Sequence, residues 1–542
     1  MRSDVLPGRP ADRWQRPVVW TFFVALLLLG LAVVRDYGIS FDEGQSHQNG
    51  MISLKFLAQT FYPDFLARPD QEAAFAPFST PLRLYTDRDY GVAFELPVTI
   101  IERLLVLDDA RSVYWLRHLC TFLVCWGGVI AVFQLGRRRF GDWRWGLLGA
   151  LFLVLSPRMF AESFYNNKDL VFMAMCAIAT NTAVRFLILP NARRAVVHGI
   201  VCALAIDVRI MAVLWPLATL AMLALRAFRG EYPGLRPGRM AAAYLGVLVT
   251  TMVVLWPYLW EAPLTNFAGA FANMTRFRWG GTVLFRGQMR MATALPWHYA
   301  PVWIGITTPL PQLLLMVVGL GAIVRQVVKR RWHLYATTGE WQDLMFFGFG
   351  VLPLLAVIAL HSVLYDGWRQ LYFIYPGLLL VALRGAVALA GWRPQGRVGR
   401  AWPWLWGGAL AASLAGIAAR TVTMHPYQNV YFNALAGNDV AHRYELDYWG
   451  QSCLGGLQWI VAHDKRMQIR VTGTPNMMAP LYGNHGMLND FDRDRILIVN
   501  TPEEANYFIT NYRWHPEDFP YPDEVFRLEP QDARILSVFR FR

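Results

Sequence analysis

Asp42 and Glu43 are adjacent carboxylates in the run Arg35-Asp36-Tyr37-Gly38-Ile39-Ser40-Phe41-Asp42-Glu43-Gly44, just past the uncharged apolar stretch 17–34. A carboxylate can serve as general base, taking the proton of a hydroxyl as its oxygen attacks. Three more groups of ionisable residues stand at the ends of apolar stretches. Thr86-Asp87-Arg88-Asp89-Tyr90-Gly91 is followed by Glu95; the turn from Ser156 to Asp169 holds Arg158, Glu162 and Lys168; and His361 to Gln370 holds Tyr365, Asp366, Trp368 and Arg369. Arg and Lys neutralise a phosphate, and Arg does so with paired hydrogen bonds. Asp169 opens the apolar run LVFMAMCAIA, so its carboxylate has to stay at that segment's polar boundary. Each group also has a plainer reading. Glu95 and Asp366 suit solvated caps, and Arg158 and Lys168 suit side chains that snorkel to lipid headgroups.

The elements that must position these residues follow from hydropathy. At ~1.5 Å per residue, the stretch 17–34 is long enough to cross a bilayer. Arg2, Arg9, Arg13 and Arg16 precede it, which predicts a cytoplasmic N-terminus. The stretch runs into Arg35-Asp36-Tyr37 rather than a small-residue cleavage site, so it reads as a retained anchor. Asp42 and Glu43 are then expected at the outer membrane surface. Of 542 residues, 55% are hydrophobic and 16% charged, against roughly 25% charged in a soluble protein. The composition is that of a polytopic membrane protein.

Basic clusters fall between alternate apolar stretches: Arg137 to Arg139 with Arg144, Arg193 with Arg194, Arg226 to Arg239, Arg325 to Arg331, and Arg393 to Arg400. These are the expected cytoplasmic loops. Topology accounts for the net charge of +13, and no base-reading element points to nucleic acid. About eleven spans are predicted, near 17–34, 113–135, 145–160, 170–189, 196–207, 210–225, 240–260, 301–324, 344–362, 371–390 and 402–420. An odd count puts the C-terminus outside. Of the five cysteines, Cys120, Cys125, Cys176 and Cys202 lie in apolar stretches and only Cys453 lies elsewhere, so neither a disulfide framework nor a cysteine metal site is expected.

The chain divides into a membrane part, 1–420, and a tail, 421–542, that contains no span. Within the membrane part, 35–112 and 261–300 are long outer loops, the first with the mixed composition of amphipathic helices lying on a membrane. In the tail, 466–471, 495–499, 505–512 and 534–541 read as strands and 452–463 as a helix, which predicts a small α/β domain.

Carboxylates and cations gathered at one membrane face suit transfer of a sugar from a polyprenyl phosphate. A carboxylate activates the acceptor hydroxyl and cations neutralise the departing phosphate. Lys168 and Arg369 are expected to hold that phosphate, with Arg158 and His361 as lesser contributors. Tyr365, Trp368 and Asp89 are expected at the substrate. Trp279, Trp297, Tyr299 and Trp303 could also stack on a sugar, although interfacial aromatic belts use the same residue types. A divalent cation held by Asp42 and Asp169 is a variant of this chemistry, because hard cations prefer carboxylate oxygen.

An acidic pair after the first span, a long first outer loop, an acid at the turn before the fourth span and an external C-terminal domain resemble the GT-C membrane glycosyltransferases. Within them, the pattern is most similar to the protein O-mannosyltransferase and aminoarabinose transferase group (glycosyltransferase family 39-like). YDGWRQLYFIYP (365–376), HPYQNVYFNALAG (425–437) and YELDYWG (444–450) carry the likeness onward. The resemblance implies Asp42 as catalytic base, Asp169 as the second acid with Glu43 shaping the site, and Arg88 on the donor phosphate. It further implies an inverting, periplasm-facing transferase of the bacterial inner membrane. Its donor would be a polyprenyl-phosphate-linked sugar, and its acceptor a glycan, lipid or protein. Asp87-Arg88-Asp89-Tyr90 stands where aminoarabinose transferases carry Lys-Pro-Pro, which argues against their acceptor. A ligase or transporter of lipid-linked glycans is the alternative. Transporters, however, place ionisable groups near the midplane, whereas here they gather at span ends.

Overall fold

The computed structural model describes residues 13–275 and 279–541; Arg2 and Arg9 of the basic tail lie outside them. The chain is an α-helical polytopic membrane protein. Nine described helices are long and apolar enough to span a bilayer, or ten when a bent pair counts as one. Eleven spans were expected, and the difference has two local causes. The stretch 196–207 forms the helix Ala192–Val208, which at 17 residues is shorter than any of the nine described spans. The stretch 145–160 is broken, with Trp143–Val154 and Pro157–Tyr165 meeting at 71°. Ser156, held extended ahead of Pro157, makes that break, as the residue before a proline avoids helical geometry. Thr308 before Pro309 likewise separates Tyr299–Thr307 from Leu310–Arg330, so the expected 301–324 span begins later.

Small residues set the closest helix contacts. A Cβ on Gly319 or Gly385 would overlap the facing backbone of Leu310–Arg330 or Tyr375–Gly391, so these helices meet main chain to main chain. Close approach of this kind is how helices gain packing energy where lipid offers no hydrophobic driving force. At the end away from Asp42, Arg139 Nε and Nη2 donate to the two Asp343 carboxylate oxygens (2.6 and 2.5 Å), tying Ala110–Phe140 to Thr338–Ala359.

The first long loop is mostly helical. Glu43–Phe61 packs on Glu95–Leu104, and Gly50 lets them approach, since a Cβ there would strike Thr99. Arg117 of the second span locks both to the bundle. It reaches Glu95 at 2.7 Å, Thr99 at 2.8 Å and Glu102 at 3.4 Å, while His118 lies 2.9 Å from Glu43. Burial raises the Glu95 carboxyl to about 7 even though Arg117 pulls the other way.

In the second loop, β1 (Thr282–Phe285) and β2 (Gln288–Met291) form an antiparallel hairpin that the sequence did not signal. The tail contains β3 (Ile469–Gly473), β4 (Ile496–Ile498), β5 (Tyr507–Thr510), β6 (Glu524–Leu528) and β7 (Leu536–Arg540) in one mixed sheet of order β4-β3-β5-β7-β6. Four of these strands and the helix Ser452–His463 fall where the sequence pattern placed them; β6 is additional. Leu457, Ile460, Val471, Ile509 and Val538 form its core, which Ile39 of the first loop also enters. Asn484 bonds the Ile39 backbone on both sides, at 2.9 and 3.0 Å. The C-terminal domain therefore grips the chain just before Asp42.

Candidate active site

Asp42 occupies the N-cap position of Glu43–Phe61, but its carboxylate makes no capping hydrogen bond to that helix. Its approach is fixed on both sides. The Phe41 N–H donates to the Trp449 carbonyl at 3.0 Å, and the Ser40 N–H donates to Glu43 Oε2 at 2.7 Å. Glu43 is thereby consumed by structure, accepting from Ser40 and facing His118, whereas the Asp42 side chain stays 25% exposed.

Arg369 sits at the centre. Its Nη1 lies 2.7 Å from Asp42 Oδ2 and 3.4 Å from Asp169 Oδ2, and its Nη2 lies 3.4 Å from Asp366 Oδ2. Residues more than three hundred positions apart are thus joined by one guanidinium. Asp169 is buried at the start of Asp169–Ile188 and also pairs with Arg209, which lies between the expected spans 196–207 and 210–225. Asp366 (φ 53°) and Gly367 (φ 74°) are both left-handed, a conformation that Asp tolerates better than most side chains. That turn aims the Asp366 carboxylate back at Arg369.

Burial alone would push the Asp42 carboxyl upward, but Arg369, Lys168 and Arg513 together hold it below the usual carboxylate range. Asp42 is therefore an ionised, partly open carboxylate at neutral pH. Lys168 stands 4.1 Å from the Tyr90 ring centroid. Burial works against its charge, yet Tyr90, Asp42 and Asp87 raise its ammonium above the usual value. Tyr365 lies under Arg369 (4.8 Å) and stacks on Trp279 at 4.5 Å, forming an aromatic wall beside the pair.

The other expected residues are placed differently. Arg88 donates to the Arg83 carbonyl at 2.6 Å and lies over Tyr258, at the edge of the cluster. Asp89 accepts from Asn273 at 2.8 Å, which joins the two long loops. Arg158 is buried between Trp303 and Phe432 and reaches the Tyr448 hydroxyl at 3.4 Å, so it neither snorkels nor joins the Asp42 group. Its neighbour Glu162 takes hydrogen bonds from Asn166 (2.7 Å) and Tyr372 (2.9 Å) beneath Asp169. His361 is exposed on the turn after Thr338–Ala359, and among the described residues no contact joins it to the carboxylates. Trp368, expected at the substrate, is instead buried at 2% exposure and uses its indole N–H on Thr307 at 2.9 Å.

A divalent cation does not suit this donor set. A guanidinium already lies between Asp42 and Asp169, and among the described residues no group of three or more His, Cys, Asp or Glu side chains is arranged to hold a metal ion. Calcium-like ions want six or more oxygens.

No curated protein matches the chain. It is similar in structure to the ArnT from Cupriavidus metallidurans bound to undecaprenyl phosphate, at 12% identity over 97% of this chain and 98% of that one, with a TM-score of 0.48. The apo form of the same ArnT gives 14% identity over 96% and 98%, with a TM-score of 0.47. Residues 100–260 match the family model described as dolichyl-phosphate-mannose-protein mannosyltransferase. Over that stretch, which includes Arg117, Arg158, Lys168, Asp169 and Arg209, the chain is similar to the protein O-mannosyltransferase type of GT-C protein, the group its sequence resembles.

Proposed function

We propose that this protein is an inverting glycosyltransferase that moves a sugar from a polyprenyl-phosphate donor to an acceptor hydroxyl at the outer membrane face. In this reading the spans belong to 1–420, and the domain of 421–542 lies on the periplasmic side with the site. The observation that carries it is the ionised, partly exposed Asp42 held by Arg369 beside the partly buried cations Lys168 and Arg209. A base and a phosphate-neutralising pair stand together at span ends, where a lipid-borne phosphate would sit. The matching family's description names dolichyl-phosphate mannose, a lipid-phosphate sugar of a class that suits the cations here.

Asp42 takes the acceptor proton as the hydroxyl oxygen bonds to the sugar's anomeric carbon. The bond from that carbon to the phosphate oxygen breaks, and its electron pair leaves with the phosphate. Attack opposite the leaving group inverts the centre. Lys168 and Arg209, with Arg88 at the edge, neutralise the charge that gathers on the departing phosphate. Arg369 keeps Asp42 charged and oriented, a role different from direct phosphate binding. Aromatic faces of Tyr365 and Trp279 border the space in which the sugar would lie.

The test is Asp42→Asn in proteoliposomes supplied with a panel of polyprenyl-phosphate sugars and an envelope glycan, lipid and protein extract. Turnover is expected to fall about 10²- to 10⁴-fold, with binding of polyprenyl phosphate retained. Near-normal transfer by the folded variant would remove Asp42 from the base role.

A further inference from the structure

Arg513 belongs to the loop after β5 in the C-terminal domain, yet its guanidinium leaves that domain and enters the site. Nη2 donates to Asp366 Oδ1 at 2.8 Å and Nη1 donates to the Tyr448 carbonyl at 3.0 Å. The other Asp366 oxygen faces Arg369, whose opposite edge holds Asp42 and Asp169. Charge thus alternates in an unbroken line from Arg513 through Asp366 and Arg369 to Asp42. The Arg513 side chain is only 8% exposed and lies against Phe41, the residue before Asp42, at 5.5 Å.

The backbone that presents Arg513 is tightly held. Tyr512 (φ 59°) and Trp514 (φ 61°) flank it, both left-handed and both bulky, a pairing that ordinary loops avoid. Neighbouring bonds impose it: Asn511 donates to the Asp447 carbonyl at 2.8 Å, Asn476 donates to the Arg513 carbonyl at 2.8 Å, and the Tyr512 hydroxyl donates to Ser537 at 2.7 Å. Unfavourable backbone geometry kept by surrounding contacts is a mark of functional sites.

We infer that Arg513 is a positioning residue for the transfer reaction, a cation lent by the C-terminal domain that sets Arg369 through Asp366 and thereby orients Asp42. The domain is then a working part of the site rather than an appendage. This inference rests on the reading of Asp42 as base. Around Asp42 the charged and titratable groups are Arg369, Lys168 and Arg513, with Arg209 on Asp169, on the positive side, and Asp169, Asp366, Tyr365 and Glu445, whose carboxyl burial pushes up, nearby. Removing Arg513 takes away one of the three cations that hold Asp42 below the usual carboxylate range.

The experiment uses the full chain in proteoliposomes with polyprenyl-phosphate mannose as the probe donor and the envelope extract as acceptor. Arg513→Ala is expected to lower kcat about 10- to 100-fold, the scale of a misplaced reacting group, with the donor KM within about twofold. The acid limb of the pH–rate profile should move to higher pH, because a cation that keeps Asp42 ionised is gone. Arg513→Lys should recover part of kcat and most of the acid-limb position. Asp366→Asn breaks the same line from its middle and should repeat the kcat loss, which serves if Arg513→Ala does not fold. A folded Arg513→Ala, or Asp366→Asn, with unchanged kcat and unchanged acid limb overturns the inference. Asp42→Asn is run alongside. If it stays active the base reading fails, whereas an inactive Asp42→Asn beside a normal Arg513→Ala refutes the positioning role alone.

Discussion

Arg369 Nη1 lies 2.7 Å from Asp42 Oδ2, although one residue ends a turn near the tenth expected span and the other follows the first. The contact explains how a carboxylate at a span end can stay ionised, as the proposed base must. An isolated carboxylate driven toward low dielectric takes up a proton and loses its function. Here the guanidinium keeps it charged, while 25% exposure leaves it open to an incoming hydroxyl. The same guanidinium is buried by Asp169 and Asp366, so Asp42 is oriented by groups that cannot easily move.

This electrostatic frame predicts a particular pH dependence. The folded-state value of Asp42 is depressed by its cations against the pull of burial. The acid limb it contributes to turnover therefore lies below the ordinary aspartate value of about 3.9. The pairing also stabilises the fold above that ordinary value, and its contribution is lost as pH falls through the depressed one. A pH–rate profile with an Asp42-dependent acid limb above the ordinary aspartate range would contradict this account.

Donor binding should depend more on Lys168 than on Arg88. Lys168 is half-buried near Asp42 and over Tyr90, while Arg88 is engaged with the Arg83 carbonyl and the Tyr258 ring. A hydrogen bond to a charged group contributes about 1.5–3 kcal/mol, so Lys168→Ala should weaken polyprenyl-phosphate binding about tenfold or more. Arg88→Ala should weaken it less. Equilibrium binding in nanodiscs decides the order, and a larger loss from Arg88→Ala would move the phosphate to the edge of the cluster.

Trp368 should act through packing. Its ring lies edge-on to Tyr372 at 4.8 Å and to Tyr375 at 5.7 Å, and its N–H is used on Thr307. Trp368→Ala should cost about 3–5 kcal/mol of stability, read as a lowered unfolding midpoint in detergent. Trp368→Phe should retain most turnover. Loss of activity in a Trp368→Phe variant of unchanged stability would return this residue to the substrate surface.

Topology can be checked by single-cysteine labelling in a cysteine-free background. Positions near 50 and 480 should react from outside, and those near 139 and 330 should be protected, as the basic-loop alternation requires. Protection at 480 would place the C-terminal domain, and with it Arg513, on the wrong side for the proposed chemistry.

The sequence by itself determined the membrane class, the approximate limits of most helices, four strands of the tail and the emergence of Asp42 at a span end. These are local matters of hydropathy, period and charge alternation, which a window of the chain contains. It also brought Asp42, Asp169, Lys168 and Arg369 into view as types suited to the chemistry. Only the tertiary structure decided their partners. Arg209 fell between two expected spans and became the second cation on Asp169. Arg513 lay in an unremarked loop and became a neighbour of Asp366. Arg158 and Trp368 looked like site residues, and packing buried them among aromatics instead. Ion pairs between distant residues depend on where whole helices and domains dock, and no local pattern records that. The short-range signal names which groups can react, while the long-range contacts settle which are charged, which are open and which face one another.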